Sequence, residues 1–319
     1  MAHYVVGVDF GGTHLRAALI DREGNILKRI KRKTMAHLGA EVVFDRIADA
    51  VRDAADGLKE GDLLVGVGVI APGPLDPFKG IVFYAPNLKW KNVPLVDELQ
   101  DRLGCPVFAG NDANLAALAE HRYGAGKGLT DIIYMTISTG IGGGIIINNK
   151  MLLGSNGQGA EVGHMPIMPE GPLCGCGQRG CVESVASGPN IARIAKERLQ
   201  HGVPSLLQEH EGDITAKEVV QAAEQGDRLA LELLNQAGSY IGLALASLVH
   251  IFNPQRFIFG GGVSNAGDLL FNPIRHALKW RTMPSYHGTF DIVPAELGDN
   301  VGLLGAAALA FARVDAVAK

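Results

Sequence analysis

One histidine and three cysteines lie close together near the middle of the sequence, and all four have side chains that bind zinc. His164 is followed, after nine residues, by Cys174, Cys176 and Cys181. An imidazole nitrogen and three thiolates complete a tetrahedral Zn²⁺ site and leave no coordination position for a substrate. We therefore predict a structural zinc ion. The alternative is a glycine loop with incidental cysteines or a disulfide, which the local density of ligand residues disfavours.

Two glutamates flank this cluster, Glu161 on one side and Glu183 on the other. Nitrogen and sulfur ligands already complete a site of this kind, so the metal needs neither carboxylate. We expect zinc to fix a loop that presents Glu161, the backbone of His164 and Glu183 to a polar molecule. Solvated loop acids are the alternative interpretation.

A carboxylate and a glycine turn stand near the beginning of the chain, at the end of an apolar strand. Asp9 is followed, after one residue, by Gly11, Gly12 and Thr13. Consecutive backbone N–H groups in such a turn form a nest for anions such as phosphate. The threonine hydroxyl can add a donor, and Asp9 can hold Mg²⁺ directly or through water. Taken alone, this segment is explained equally well by an ordinary hairpin turn.

A second turn with a threonine and glycines, Thr139-Gly140-Ile141-Gly142-Gly143-Gly144, follows another apolar strand. Two phosphate-binding hairpins, one in each half of the chain, favour a nucleotide clamped between them. Neither hairpin has the pattern of a P-loop. In this interpretation Thr139 and Gly140 belong to the nucleotide site.

A third glycine segment closes a later strand and consists of Gly260, Gly261 and Gly262. Glycine lets bare backbone approach a ligand closely, so this segment suits a flat base or a ribose. A simple turn between a strand and a helix is the alternative.

Asn111 and Asp112 are expected where a strand ends and a helix begins. Asp112 taken alone is explained by helix capping, because aspartate is a favoured N-cap. The joint pattern favours chemistry: a polyol pocket needs several Asn, Asp and Glu acceptors, and a phosphoryl acceptor needs one carboxylate to take its proton. With a Mg²⁺–nucleotide site nearby, Asp112 is the natural general base.

The elements that position these residues alternate between strands and helices, which predicts an α/β protein. Tyr4–Phe10, His14–Ile20 and Ile26–Thr34 are expected to form an antiparallel meander. The strand–glycine turn–strand plan recurs around the second hairpin as a weak internal repeat. No low-complexity linker divides the chain, so we place a domain boundary near Asp112.

Composition excludes several classes of function. The chain has 319 residues, a net charge of −4 and 47% hydrophobic residues, with no basic face. Nucleic acids and anionic membranes are therefore disfavoured as partners. No apolar run approaches the roughly 20 residues of a membrane span, and the N-terminus lacks the basic region of a signal peptide. Clustered cysteines fit the reducing cytoplasm, where we expect the protein.

These segments together resemble the ROK family, which comprises repressors, open reading frames and sugar kinases. The resemblance extends in order over essentially the whole chain, looks most like the bacterial glucokinases of the family, and is most specific in the zinc segment. The matching segments are Asp9–Thr13, Asn111–Asn114, Ser138–Gly144, Glu161–His164, Cys174–Glu183 and Gly260–Val263.

The resemblance implies an actin-like, hexokinase-type ATPase fold with two ribonuclease-H-like α/β domains around a central cleft. A small N-terminal domain would contain residues 1–111 and about 300–319, because the C-terminal helix returns to it, and residues 112–299 would form a large domain with the zinc loop. The implied reaction is transfer of the ATP γ-phosphoryl group to a hexose, foremost the 6-hydroxyl of glucose, with Asp112 as base. The implied sugar contacts come from Gly73, Asn87, Asn111, Asp112, Glu161, His164 and Glu183.

Other interpretations stay open at this point. The sugar can be fructose, mannose, allose or N-acetylmannosamine, and the donor can be polyphosphate. A non-catalytic sugar-sensing regulator is a further alternative, although such sensors can lose the base that this chain keeps. Only Met1-Ala2-His3 precedes the first strand, so we do not expect the DNA-binding domain of the repressor branch. We expect a homodimer or homotetramer.

Overall fold

Strands and helices alternate along the chain, which confirms the predicted α/β class. The structure, a computed structural model, describes residues 2–317. Contacts between Cα atoms group the described chain into two compact units. Unit 1 contains residues 2–128, 150–160 and 296–317, and unit 2 contains residues 129–149 and 161–295. Met1 and residues 318–319, which belong to the predicted small domain, lie outside the described residues.

Unit 1 contains a five-stranded sheet and a three-stranded sheet, together with one two-residue strand that belongs to neither. Its strands are β1 (His3–Phe10), β2 (His14–Ile20), β3 (Ile26–Lys33), β4 (Leu63–Ile70), β5 (Leu75–Asp76), β6 (Ile81–Ala85), β7 (Trp90–Val93), β8 (Val107–Gly110) and β11 (Lys150–Met151). Its helices are α1 (Ala40–Ala55), α2 (Leu95–Leu103), α3 (Asp112–Tyr123) and α9 (Val301–Val317).

The larger sheet of unit 1 has the strand order β3-β2-β1-β4-β8. The first three strands form the predicted antiparallel meander, and β1, β4 and β8 run parallel. Alternate residues of β1 enter two cores: Val6 and Val8 pack with α1, whereas Val5 packs with α9. The sheet is therefore covered on both faces, as parallel strands require.

Helix α9 lies directly on the sheet because the strands beneath it contain glycine. A Cβ atom added to Gly68 would overlap the carbonyl of Ala306. Helix α3 also packs against α9. The C-terminal helix thus belongs to the unit that begins the chain, as the resemblance implied.

Unit 2 carries the second sheet. Its strands are β9 (Ile132–Ile137), β10 (Ile141–Ile147), β12 (Arg256–Gly260) and β13 (Asp291–Pro294), and its helices are α4 (Val182–Ala186), α5 (Gly188–Gln200), α6 (Ala216–Glu224), α7 (Arg228–Phe252) and α8 (Asp268–Arg281). These four strands are ordered β10-β9-β12-β13, with only β9 and β10 antiparallel.

One sequence-based boundary differs from the structure. Strand β10 begins at Ile141, so the glycines at 142–144 are strand residues and not part of the turn. The contact grouping keeps α3 in unit 1, because α3 packs on α9, and a functional boundary near Asp112 stays a prediction. None of the helices in the described part of the chain combines the length and apolar character that a bilayer crossing requires.

Candidate active site

Parallel strands bring several predicted site residues of unit 1 to one sheet edge. In the ladder of β1, β4 and β8, Asp9 lies opposite Ile70, and Ile70 lies opposite Gly110. The chain therefore leaves β1, β4 and β8 at the same edge, towards the Gly11–Thr13 turn, Gly73 and Asp112 respectively. Ligands of open α/β sheets bind at such carboxyl ends of strands.

Asn111 and Asp112 have different structural roles. Asn111 has extended backbone before α3, and its Oδ1 accepts a hydrogen bond from the N–H of Asn114 at 2.8 Å. Asn111 is thus the N-cap, and the idea that Asp112 caps the helix is wrong. Asp112 is exposed, and its Oδ1 accepts a hydrogen bond from the N–H of Ala113 at 2.8 Å. Within residues 2–317, no donor is recorded for its Oδ2, so this oxygen is available to a ligand.

Asp9 already has a cationic partner. It faces Arg16 across the β1–β2 hairpin, and its Oδ2 forms an ion pair with the Arg16 guanidinium. Arg16 also donates a hydrogen bond to the carbonyl of Asp299 at 3.0 Å. A metal ion at Asp9 would therefore sit beside a positive charge that sequence reasoning missed. The signal was available, since residues paired across a hairpin with a known turn are neighbours.

The first phosphate turn lies close to a predicted sugar contact. A Cβ atom at Gly12 would be 3.1 Å from the carbonyl oxygen of Asn87, so Asn87 lies against the turn. Gly12, Thr13 and Asn87 share a cavity of about 550 Å³ in unit 1, whose other lining residues are Lys33, Met35, Ala36, His37 and Lys89. The two lysines add positive charge near the turn, and no local pattern in the sequence indicated them.

Gly73 lies in the bend after β4, and the small sheet holds that bend in place. Its φ of +81° is in the left-handed region, and a Cβ atom there would overlap the carbonyl of Tyr84 on β6. Glycine is therefore required at this position for backbone packing, whatever it does for a ligand.

The second predicted phosphate turn is shorter than expected. Strands β9 and β10 pair as far as Ile137 and Ile141, and the turn between them is Ser138-Thr139-Gly140. The glycines beyond it have a packing role: a Cβ atom on Gly143 would overlap Val162 in the segment that also carries Glu161. The strand thus lets the predicted sugar-binding segment lie directly against it.

A cavity of about 740 Å³ in unit 2 begins at this turn. Thr139 and Gly262 line it, whereas Gly260 packs against the hydroxyl of Tyr134 and Gly261 against the carbonyl of Ile137. The wall includes apolar side chains and polar ones that sequence reasoning missed. They are Ser138, Gly188, Pro189, Ala192, Lys196, Asp213, Ile214, Thr215, Ala216, Lys217, Val220, Gln221, Glu224, Val263 and Asn265. A mixed wall of this size suits a nucleoside.

The four predicted zinc ligands meet in unit 2. One ligand atom each from His164, Cys174, Cys176 and Cys181 lies within 4.8 Å of all the others. The sulfurs of Cys176 and Cys181 are 3.7 Å apart, and Cys174 Sγ is 3.6 Å from His164 Nδ1. Zinc at about 2.3 Å from sulfur and about 2.0 Å from nitrogen gives tetrahedral edges of about 3.8 Å (S···S) and about 3.5 Å (S···N). These separations fit a zinc ion, and all four cysteines are free of disulfides.

The three thiols of the cluster differ in how readily they lose a proton. Burial raises the pKa of Cys174, and it raises the pKa of Cys181 to about 12. Only Cys176, which is exposed and accepts from the backbone of Gln178, has a lowered pKa. Cys174 and Cys181 thus stay protonated at pH 7 unless a metal ion displaces their protons, as structural zinc does.

Glu183 connects the cluster of His164 and the three cysteines to the second predicted phosphate turn. Its Oε2 accepts a hydrogen bond from the N–H of Ile141 at 2.9 Å, and its Oε1 lies 3.7 Å from Cys174 Sγ. Glu161 is exposed at the start of a short 3₁₀ turn that ends at His164. Glu161, His164 and Glu183 therefore occupy one region of unit 2, as the zinc spacing predicted.

Comparison with protein families matches residues 5–313 to the ROK family. The glucokinase of Thermotoga maritima is 42% identical over 314 residues, which cover 97% of this chain and 98% of that protein.

Solved structures show the same likeness. A ROK hexokinase from Thermus thermophilus superposes with a TM-score of 0.85 at 35% identity, covering 98% of this chain and 99% of that one. A ROK family glucokinase from Streptomyces griseus, in complex with glucose and AMPPNP, has a TM-score of 0.77 at 40% identity, covering 97% and 99%. These likenesses confirm the actin-like, hexokinase-type ATPase fold predicted for the chain.

Proposed function

The chain belongs to the ROK family, and we propose that it is an ATP-dependent glucokinase that phosphorylates the 6-hydroxyl of glucose. The observation that carries the proposal is the Asp112 carboxylate, which has a free oxygen at the sheet edge where the Gly11–Thr13 turn also lies. Full-length similarity to glucokinases supports the choice of sugar.

Asp112 would act as the general base. A hexose hydroxyl is a weak nucleophile, and a carboxylate within hydrogen-bond reach both orients it and accepts its proton. Asp112 begins α3, where the helix dipole stabilises a negative charge. Because Asn111 caps the helix, the carboxylate of Asp112 is not consumed by a structural role.

The sugar would be held by acceptors from both units. Gly73, Asn87 and Asn111 are the candidates of unit 1, and Glu161, His164 and Glu183 are those of unit 2. Nδ1 of His164 faces the cysteine cluster, so a zinc ion there leaves Nε2 to donate to a sugar hydroxyl. Neutral, hydrogen-bonding side chains and carboxylates of this kind suit a polyol.

The nucleotide would use the turns and the cavity of unit 2. The adenosine moiety fits the cavity lined by Thr139 and Gly262, and the backbone of Gly11, Gly12 and Gly140 would serve the phosphates. Gly260 and Gly261 would support this site through packing. Mg²⁺ bound with ATP would neutralise phosphate charge. Asp9 is the candidate carboxylate for it, next to Arg16.

We infer that zinc is structural, because four protein ligands leave no open position. The free cysteines fit a cytoplasmic protein.

Self-association is supported by apolar side chains at the ends of α7 and α8: Trp280, Ile251 and Met283 are 74%, 69% and 53% exposed. Trp280→Ser should shift sedimentation towards the monomer.

A coupled ADP-release assay over a panel of hexoses tests the function. We expect the highest kcat/KM with glucose and ATP, and phosphorylation at the 6-hydroxyl by ³¹P NMR. Higher kcat/KM with mannose, fructose, allose or N-acetylmannosamine would reassign the substrate, and turnover with polyphosphate alone would reassign the donor. Sugar binding without ADP release would identify a sensor.

A further inference from the structure

Helix α3 contains a carboxylate that is completely buried. Glu120 has 0% exposure, and three backbone N–H groups donate to it. Its Oε2 accepts from Ala125 at 2.8 Å, and its Oε1 accepts from Glu296 and Leu297 at 3.0 Å each. Among the described residues, every hydrogen bond recorded to this side chain comes from the backbone. A buried carboxylate is costly to desolvate, so this arrangement calls for a specific role.

The three amides belong to two segments that connect the units. The chain passes between the units after residues 128, 149, 160 and 295. Ala125 lies just before the first passage, and Glu296 and Leu297 lie just after the last. One side chain of unit 1 therefore ties together the segment that leaves this unit and the segment that finally returns to it.

The chain around Glu120 is built to keep this contact. The backbone carbonyl of Glu120 accepts from Gly124 at 3.1 Å and from Gly126 at 2.9 Å, which fixes the outgoing segment a second time. A Cβ atom on Gly124 would overlap Oε2 of Glu120, so only glycine lets the carboxylate reach Ala125. Leu297 also packs against the core beneath α9.

Glu120 lies eight residues after Asp112 on the same helix. At about 1.5 Å of rise per residue, about 12 Å of rigid helix separates the Cα atoms of the two residues along the helix axis. The helix thus joins the proposed base directly to both connecting segments. Connections of this kind absorb the backbone rotation when one part of a kinase moves relative to another.

We propose that Glu120 is a positioning residue that pins the hinge between the two units. This inference rests on the proposed glucokinase function. By holding both segments against α3, Glu120 fixes the pivot about which unit 2 moves. The phosphate turn of unit 2 then reaches Asp112 in one orientation. Loosening the pivot leaves binding within unit 2 intact and lowers the fraction of closed complexes that are aligned for transfer.

Glu120→Gln tests whether the carboxylate of Glu120 holds the two connecting segments against α3. It keeps size and shape, but whichever way the amide is turned, its NH₂ group faces at least one backbone N–H. The matched control is Asp227→Asn in unit 2, because Asp227 is also a buried carboxylate that accepts from two backbone amides, those of Ala230 at 2.8 Å and Leu206 at 2.7 Å. Both variants should lower the melting temperature.

Only Glu120→Gln should change catalysis. We expect its kcat to fall at least about tenfold, because small misplacements are that costly, while the calorimetric Kd for ADP stays within about twofold. Hydrogen exchange should accelerate in peptides around Ala125 and Glu296–Leu297 in Glu120→Gln and not in Asp227→Asn. Equal kcat in Glu120→Gln and the parent, an equal loss in both variants, or unchanged exchange would overturn the inference.

A second variant keeps the inference testable if Glu120→Gln does not fold. Gly124→Ala keeps the carboxylate and displaces it from Ala125, so it should give the same kinetic and exchange pattern in a milder form. If Gly124→Ala leaves both kcat and hydrogen exchange unchanged, the inference is disproved. Failure of the proposed function looks different: the parent would release no ADP with any sugar, and the exchange measurement would still test the contact.

Discussion

Asn111 caps helix α3 for its neighbour Asp112, accepting the hydrogen bond of the Asn114 N–H at 2.8 Å. Of the two adjacent polar residues, Asn111 therefore stabilises the helix and Asp112 is left for the proposed chemistry. Asp112 is the first helical residue, and one of its carboxylate oxygens has no donor among residues 2–317. An aspartate that served as the cap could not be altered without loosening the helix that carries the proposed base.

Removing the cap should therefore destabilise the protein. Asn111→Ala should lower the free energy of unfolding by about 1 kcal/mol, the usual cost of losing an Asn cap. Asp112→Asn should change it much less. Urea denaturation of the two variants measures the difference, and a larger loss in Asp112→Asn would contradict the assignment of the cap.

Zinc should be lost when its exposed ligand is replaced. Cys176→Ser should release the ion, raise protease sensitivity between Glu161 and Glu183, and lower the melting temperature, because structural zinc contributes folding energy directly. Elemental analysis of the purified protein measures the metal. Cys105→Ser is the control, since Cys105 packs against the core of unit 1 and is not one of the four predicted ligands. A parent protein without stoichiometric zinc would refute the site.

A larger side chain at Gly262 should block the nucleoside cavity. Nothing lies within 4 Å of a Cβ atom placed there, and its φ is not in the left-handed region, so the fold should tolerate the change. Gly262→Leu should raise the KM for ATP about tenfold or more, as expected when binding contacts are removed, and leave glucose affinity unchanged. Gly262→Ala is the size control. Equal KM values in parent and Gly262→Leu would place adenosine elsewhere.

Sugar binding should compact the protein. The candidate ligands come from both units, so glucose should draw the units together and exclude water from the γ-phosphate. Small-angle X-ray scattering with and without saturating glucose measures the radius of gyration, which should fall. An unchanged radius, with binding established by calorimetry, would argue against closure.

Local patterns in the sequence predicted the parts of the site that are contiguous. The zinc spacing singled out the four side chains that meet in unit 2, and glycine turns after apolar strands indicated both hairpins. The predicted second turn is too long, because a glycine of β10, Gly143, packs against Val162, which is distant in sequence.

Contacts between segments that are distant in sequence could not be predicted from local patterns. Glu120 looked like any polar residue at the end of a helix, and its partners at 296 and 297 follow 176 and 177 residues later. The wall of the nucleoside cavity combines residues from several helices, none of which carries a signal alone. Arg16 was within reach of sequence reasoning, because hairpin register sets its partner Asp9.

The most direct measurement is steady-state kinetics of Asp112→Asn with glucose and ATP. The variant preserves size and leaves the Asn111 cap in place, so the fold, the zinc content and the glucose Kd should stay close to those of the parent. Loss of the base should lower kcat by about a hundredfold or more, in line with the usual contribution of general-base catalysis. Turnover within about threefold of the parent would contradict the role of Asp112 and with it the proposed mechanism.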